Sequence, residues 1–238
     1  MATFVLVHGA WHGSWCWDKV VSLLQQAGHN ALTLDLPGRA GDKTSIQDLT
    51  LEAYAKKVCN VVNLQDELVI LIGHSMGGMM ITQAAEYCPD KIKTLVYLCA
   101  FLPQNGQSLL DIAQTDTQGL VLPNLVPNQP EGYLFFKENT PFKDIFYNDC
   151  SDADVKRAMA MLVPEPIAPA ATPVNTTAAN FGRVPRGYVE CLQDKAIPAY
   201  LQKKMYEALP CQKVISMNTS HSPFFSAPTE LVAHLTAL

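Results

Sequence analysis

Positive charge and long apolar runs are both scarce in this 238-residue sequence. Its 17 Lys and Arg stand against 22 Asp and Glu, which gives a formal net charge of −5. This balance argues against nucleic acid and anionic membranes as partners, because both select basic surfaces. No apolar run approaches the roughly 20 residues that a membrane-spanning helix needs. No basic and then apolar leader follows Met1, so the sequence predicts a cytoplasmic protein.

The seven cysteines form no CxxC pair and no Cys/His spacing typical of a zinc site. We therefore expect reduced thiols that behave as small, mostly buried apolar side chains. The sequence also has no low-complexity tract, and its length suits one α/β domain that carries an insertion. Neither a metal nor an organic cofactor is predicted.

Short apolar runs alternate with helical patterns, which indicates βαβ units and a parallel sheet. The runs predicted to be strands are residues 3–7, 31–34, 68–72, 94–99, 187–191 and 213–217. The helices predicted between and after them cover residues 18–27, 51–61, 76–87, 198–208 and 228–238. Thr50 is the predicted N-cap of the second helix.

The segment from about 103 to 184 breaks this alternation and is rich in proline and amide residues. Its one clear helix covers residues 152–162, with Ser151 as the predicted N-cap. Because a structureless loop of this length is rare in a compact domain, we predict a small cap at 104–184. The core then consists of residues 1–103 and 185–238. Six of the 17 Phe and Tyr residues fall within the cap at 133–147, where they could bury the cap or line a pocket.

The motif Gly73-His74-Ser75-Met76-Gly77 lies between a predicted strand and a predicted helix. A G-x-S-x-G motif in this context is typical of a nucleophile elbow, in which the serine sits on a strained turn and its neighbours must be small. The turn exposes the serine Oγ at the carboxyl edge of the sheet and directs a helix N-terminus at developing negative charge. The sequence therefore predicts a serine nucleophile.

An acid and a histidine must follow the nucleophile in that order. Asp194 comes just after a predicted strand, at the sheet edge where active-site groups collect, whereas the competing Glu190 lies within the strand. Of the two later histidines, His234 falls inside the last helix and His221 lies in the loop after the last strand. We predict that His221 is the general base of Ser75 and that Asp194 orients its imidazole.

The first strand ends in His8-Gly9-Ala10, where a donor to an oxyanion is needed beside the elbow. The backbone N–H groups of Ala10 and Met76 are the predicted oxyanion hole. His8 and His12 are predicted to shape this loop through hydrogen bonds rather than to act as bases.

Three segments resemble one family of the α/β-hydrolase superfamily, the plant methylesterases and hydroxynitrile lyases, which includes methyl salicylate esterase and polyneuridine aldehyde esterase. They are FVLVHGAWHGSW at 4–15, GHSMGG at 73–78 and DKAIP at 194–198. The resemblance implies the α/β-hydrolase fold, with about six mostly parallel strands flanked by helices and a small inserted cap. It also implies a serine esterase that acts on a small-molecule ester, and a homodimer.

The family contains two chemistries. Its S-selective lyases carry threonine in the first oxyanion loop and lysine directly after the catalytic histidine, and its R-selective lyases carry asparagine in that loop. This sequence has Gly9 and Ser222 at the corresponding positions. Without a cation beside the base to stabilise departing cyanide, an esterase is favoured. A hydroxynitrile lyase and a small-molecule receptor built on a hydrolase fold stay open as alternatives.

Pockets of this family take small, apolar and often aromatic esters, and methyl esters fit that description. Trp11, Met76, Phe101, Leu102 and Phe224 lie beside the matched motifs and are predicted to contact the substrate. Phe224 is the strongest of them because it follows the base by three residues.

Overall fold

The computed structural model describes residues 1–128 and 130–238. The strands of the described residues are β1 (Thr3–Val7), β2 (Asn30–Leu34), β3 (Val69–His74), β4 (Ile92–Leu98), β5 (Leu125–Asn128), β6 (Tyr133–Phe136), β7 (Glu165–Pro166), β8 (Arg186–Cys191) and β9 (Lys213–Met217). Their α-helices are α1 (Asp18–Gln26), α2 (Leu51–Asn63), α3 (Gly77–Tyr87), α4 (Leu109–Ala113), α5 (Val121–Asn124), α6 (Phe142–Phe146), α7 (Asp152–Met161), α8 (Ile167–Ala171), α9 (Ala199–Ala208), α10 (Pro223–Ser226) and α11 (Pro228–Thr236).

Six strands form one parallel sheet in the order β2-β1-β3-β4-β8-β9. These are the six strands predicted from the sequence, so the predicted fold class is confirmed. The order reverses between β1 and β3, where Val7 pairs with Gly73. Such a switch point opens a crevice at the carboxyl ends of the two strands. The loops that follow β1 and β3 therefore begin side by side.

Helices cover both faces of this sheet, which explains why its strands are continuous apolar runs. On one face, strand residues such as Val5 and Leu71 pack with α2 and α3. On the other face, Leu6 and Ile72 pack with α1 and α11. The N-cap predicted for α2 is confirmed, since the Thr50 hydroxyl accepts a hydrogen bond from the backbone of the first turn.

The chain between β4 and β8 carries α4 to α8 and a small antiparallel sheet of order β5-β6-β7. The helix predicted here is confirmed as α7, and Ser151 caps it by accepting from Asp154 N at 3.2 Å. The other elements are two to five residues long. The cap boundaries at 104 and 184 stay a prediction.

Two further expectations concern cysteines and membranes. Cys59 of α2 and Cys88, directly after α3, are paired in a disulfide, so the prediction of seven reduced thiols is wrong for these two. The helices α2 and α3 pack together, and this tertiary contact brings together residues that lie 29 apart in sequence. Within residues 1–128 and 130–238, no helix is both long and apolar enough to cross a bilayer.

Candidate active site

Ser75 occupies a strained turn between β3 and α3. Its φ of +54° lies in the left-handed region, which costs a non-glycine residue about 1–3 kcal/mol. The Ser75 carbonyl accepts hydrogen bonds from Gly78 N and Phe101 N, both at 3.1 Å, and these hold the turn. The side chain is 9% exposed and lines a cavity. The geometry is that of a nucleophile elbow.

Asp194 and His221, the predicted acid and base, are in direct contact. His221 Nδ1 lies 2.6 Å from Asp194 Oδ2, and both side chains are buried. The other carboxylate oxygen, Oδ1, accepts from Ala196 N at 2.7 Å and Ile197 N at 2.9 Å. Because a carboxylate only accepts, His221 Nδ1 is the donor in this contact, which leaves Nε2 of the neutral ring without a proton.

The elbow and the loop of His221 are joined through His74, the residue before Ser75. His74 Nε2 donates to the His221 carbonyl at 2.8 Å, and the two rings lie 4.6 Å apart between centroids. No hydrogen bond joins Ser75 Oγ to His221 in the described part of the chain. In sites of this kind the contact between nucleophile and base often tightens only when substrate binds.

The loop after β1 passes close to Ser75. A Cβ placed on Gly9 would lie 2.8 Å from Ser75 Cβ, so only glycine permits this approach. Ala10 and Met76 both line the same cavity as Ser75. Their backbone N–H groups form no hydrogen bond with any described residue, which leaves both available to an oxyanion.

His8 and His12 shape this loop. His12 Nδ1 donates to Ala10 O at 2.8 Å, while His12 Nε2 accepts from the Tyr147 hydroxyl at 2.8 Å. His8 Nε2 accepts from Leu36 N at 3.2 Å. Burial lowers the pKa of His8 to about 3 and that of His12 to about 4, so both rings stay neutral near pH 7.

The cavity is mostly apolar and lies between the loop after β1 and the segment that follows β4. Its lining includes the predicted Trp11, Met76 and Phe101, and also Phe146 from the aromatic cluster at 133–147. The Phe146 ring lies 5.7 Å from that of His221. The aromatic cluster therefore contributes a side chain to the cavity, which agrees with the second of its two predicted roles, lining a pocket.

Leu102 and Phe224 do not line this cavity, which corrects their predicted substrate contact. Leu102 packs towards α9, where its backbone N–H donates to Met205 Sδ at 3.4 Å. The Phe224 side chain is fully buried beneath the site, edge-on to His74 with their ring centroids 4.9 Å apart. Proximity in sequence to His221 did not reveal the direction of this side chain, because α10 turns it towards the core.

Sequence reasoning missed two polar residues of the cavity, Asp116 and Glu165. Glu165 is fully buried and pairs with the buried Arg39. A single glutamate in a proline-rich segment gives no signal of burial.

One group of potential metal ligands occurs in the described residues: atoms of His74, Cys99 and His221 lie within 4.8 Å of one another. His74 Nε2 and Cys99 Sγ both hydrogen-bond to the His221 carbonyl, at 2.8 and 3.5 Å. These two contacts hold the loop of His221.

The α/β-hydrolase family model matches residues 4–235. Putative methylesterase 14, chloroplastic, of Arabidopsis thaliana is 34% identical over 242 residues, which cover 96% of this chain and 69% of that protein. Methylesterase 2 of the same plant is 33% identical over 251 residues, 99% of this chain and 95% of that protein. The chain spans only 54% of some longer chloroplastic relatives.

The crystal structure of polyneuridine aldehyde esterase superposes with a TM-score of 0.89 at 26% identity, covering 100% of this chain and 98% of that one. These likenesses extend over the whole sheet, the elbow and the inserted segment. The chain therefore belongs to the α/β-hydrolase family and, within it, to the methylesterases and their relatives.

Proposed function

We propose that this chain is a serine carboxylesterase that hydrolyses small apolar or aromatic esters, methyl esters among them, through an acyl-enzyme. The similarity of the chain to methylesterases and to an esterase structure supports a carboxylic ester hydrolase. The observation that carries the finer proposal is the 2.6 Å contact of His221 with Asp194, beside an apolar cavity lined by Ser75.

In the proposed reaction, Ser75 Oγ attacks the ester carbonyl as His221 Nε2 takes its proton. The new C–O bond places negative charge on the former carbonyl oxygen, and the N–H groups of Ala10 and Met76 stabilise it. Collapse of this intermediate breaks the bond to the alcohol, which leaves with the proton from His221. Water then repeats the sequence on the acyl-enzyme and releases the acid.

The cavity supports this substrate class. Its walls are largely leucine, alanine and aromatic side chains, so burial of an apolar acyl group is favourable and burial of a charged one is costly. Relatives of the chain are named methylesterases. Methanol is the smallest alcohol that an ester can release, so a methyl ester needs the least room in an enclosed site.

We further propose that residues 104–184 act as the cap that closes this cavity, because α4, α5, β6 and α8 supply much of its wall. The cytoplasmic location and the homodimer stay predictions.

The test compares hydrolysis of p-nitrophenyl acetate and butyrate by the wild type, Ser75→Ala and Ser22→Ala. Ser22 is an exposed serine of α1 and serves as the matched control. We expect turnover to fall by about 10⁴-fold or more in Ser75→Ala alone. Cyanide release from mandelonitrile is assayed alongside. Cyanide release without ester turnover would make the chain a lyase, and tight ligand binding without either reaction would make it a receptor.

A further inference from the structure

In the buried pair of Arg39 and Glu165, one carboxylate oxygen of Glu165 has no hydrogen-bond partner among the described residues. Arg39 reaches Glu165 Oε2 with its guanidinium, donates from Nε to His12 O at 3.0 Å, and donates from Nη1 to Pro164 O at 3.3 Å. The same oxygen, Oε2, also accepts from Trp11 N at 2.8 Å. Both charged side chains are at most 2% exposed.

The second carboxylate oxygen, Oε1, is buried and has no hydrogen-bond partner in the described part of the chain. Leaving a charged acceptor unsatisfied away from water is unfavourable, and native structures keep few such groups. Glu165 is also one of the few polar residues that line the cavity of Ser75. The polar atom that lacks a partner therefore belongs to a side chain at the substrate site.

Glu165 lies on the oxyanion side of that cavity. Its Oε2 holds Trp11 N, the peptide next to Ala10, and Val163 N donates to Trp11 O at 3.0 Å. Trp11 has a φ of +61°, so these two contacts fix a strained residue.

Resting on the esterase activity proposed above, we infer that Glu165 is a specificity-determining residue, whose Oε1 accepts a hydrogen bond from a hydroxyl group on the substrate. The preferred esters then carry one neutral donor on an otherwise apolar acyl group. A neutral donor fits better than a cation, because Arg39 already balances the carboxylate charge. An ammonium group would leave net positive charge in an apolar cavity.

The experiment measures kcat/KM for methyl phenylacetate, its three ring-hydroxylated isomers and their methoxy counterparts. In the wild type we expect at least one hydroxylated isomer to exceed both its parent and its methoxy counterpart by about 10- to 100-fold. Glu138→Gln, an exposed glutamate of the same segment, is the matched control and should keep that ratio.

Glu165→Gln should abolish the advantage of hydroxyl over methoxy. The amide oxygen remains with Arg39 and Trp11 N, so the amide NH₂ replaces Oε1 and donates equally well to either substrate oxygen. If Glu165 only holds the loop, the substitution lowers all rates in proportion and leaves the ratio unchanged, which overturns the inference. Equal wild-type rates for the hydroxylated, parent and methoxy esters also overturn it.

Binding separates this inference from the proposed reaction. Ser75→Ala retains Glu165, and calorimetry gives its affinity for each hydroxylated ester and its parent. Tighter binding of one hydroxylated ester by about tenfold or more supports the inference even if no ester is hydrolysed, and that failure would refute the esterase alone. Equal affinities refute the role of Glu165 whatever the turnover.

Discussion

Asp194→Asn changes one atom of the site and tests the role of the orienting acid. In the wild type, Oδ1 accepts two short backbone hydrogen bonds, from Ala196 N and Ile197 N. Oδ2 faces His221 Nδ1 at 2.6 Å and receives only a long contact of 3.4 Å from Gln202 Nε2. The asparagine oxygen keeps the two backbone bonds, so its NH₂ group must face His221.

A donor in that position reverses the histidine tautomer. Nδ1 becomes the acceptor, the proton moves to Nε2, and Nε2 can no longer take a proton from Ser75. A base held in the wrong tautomer costs about 10⁴-fold in kcat, as the equivalent change does in serine proteases. This corresponds to about 5 kcal/mol of transition-state stabilisation.

The assay is hydrolysis of p-nitrophenyl acetate, with urea unfolding to confirm that the variant is folded. Glu190→Gln is the matched control, because Glu190 competes for the role in sequence but bonds Ser216 Oγ at 2.6 Å and Tyr206 Oη at 3.2 Å instead. We expect its rate to stay near that of the wild type. A folded Asp194→Asn within tenfold of the wild type would refute the reasoning, and a 10⁴-fold loss in Glu190→Gln would transfer the role to that residue.

Two further predictions concern stability. Burial lowers the pKa of His8 to about 3 and that of His12 to about 4, so below pH 6.5 the unfolded chain binds protons that the folded chain does not. The free energy of unfolding should therefore decrease as pH falls from about 6.5 to about 4, by about 3 kcal/mol from His12 alone. Urea unfolding measured across this pH range tests the expectation. A urea midpoint that does not change with pH would contradict it. A Cβ on Gly78 would lie 2.0 Å from Phe101 O, so Gly78→Ala should cost about 3 kcal/mol or more. Gly187→Ala is the control, because a Cβ there meets nothing nearer than the end of the Leu238 side chain at 3.4 Å, and it should melt close to the wild type. Equal melting of both variants would contradict the expected cost at Gly78.

The core of the fold was predictable because each central strand is buried on both faces. Burial on both faces selects apolar residues at every position, and a short run such as residues 69–72 is typical of a buried parallel strand. The short elements after β4 carry no such signal. The strand β5 contains Pro127 and is partly exposed, and it forms only because β6 pairs with it. Its position depends on tertiary contacts that no local pattern records.

The candidate site likewise contains residues that local motifs predict and residues that only tertiary contacts position. The elbow and the loop of His221 are local motifs whose position on the sheet follows from the strand before them, so the sequence could nominate Ser75, Asp194 and His221 as the candidate triad. Side-chain direction within a short helix is not local, which explains the error at Phe224. The burial of Glu165 requires Arg39, which lies 126 residues away in sequence.

The hydrogen bond from His74 Nε2 to the His221 carbonyl limits which substitutions this site can accept during evolution. His74 cannot be substituted independently of the loop of His221. Any replacement must still donate a hydrogen bond to a carbonyl 147 residues further along the chain. Substitutions at position 74 and in the loop of His221 should therefore be accepted in pairs. A library that varies one of these segments at random would sample mostly inactive enzymes, whereas one that varies both together would recover function.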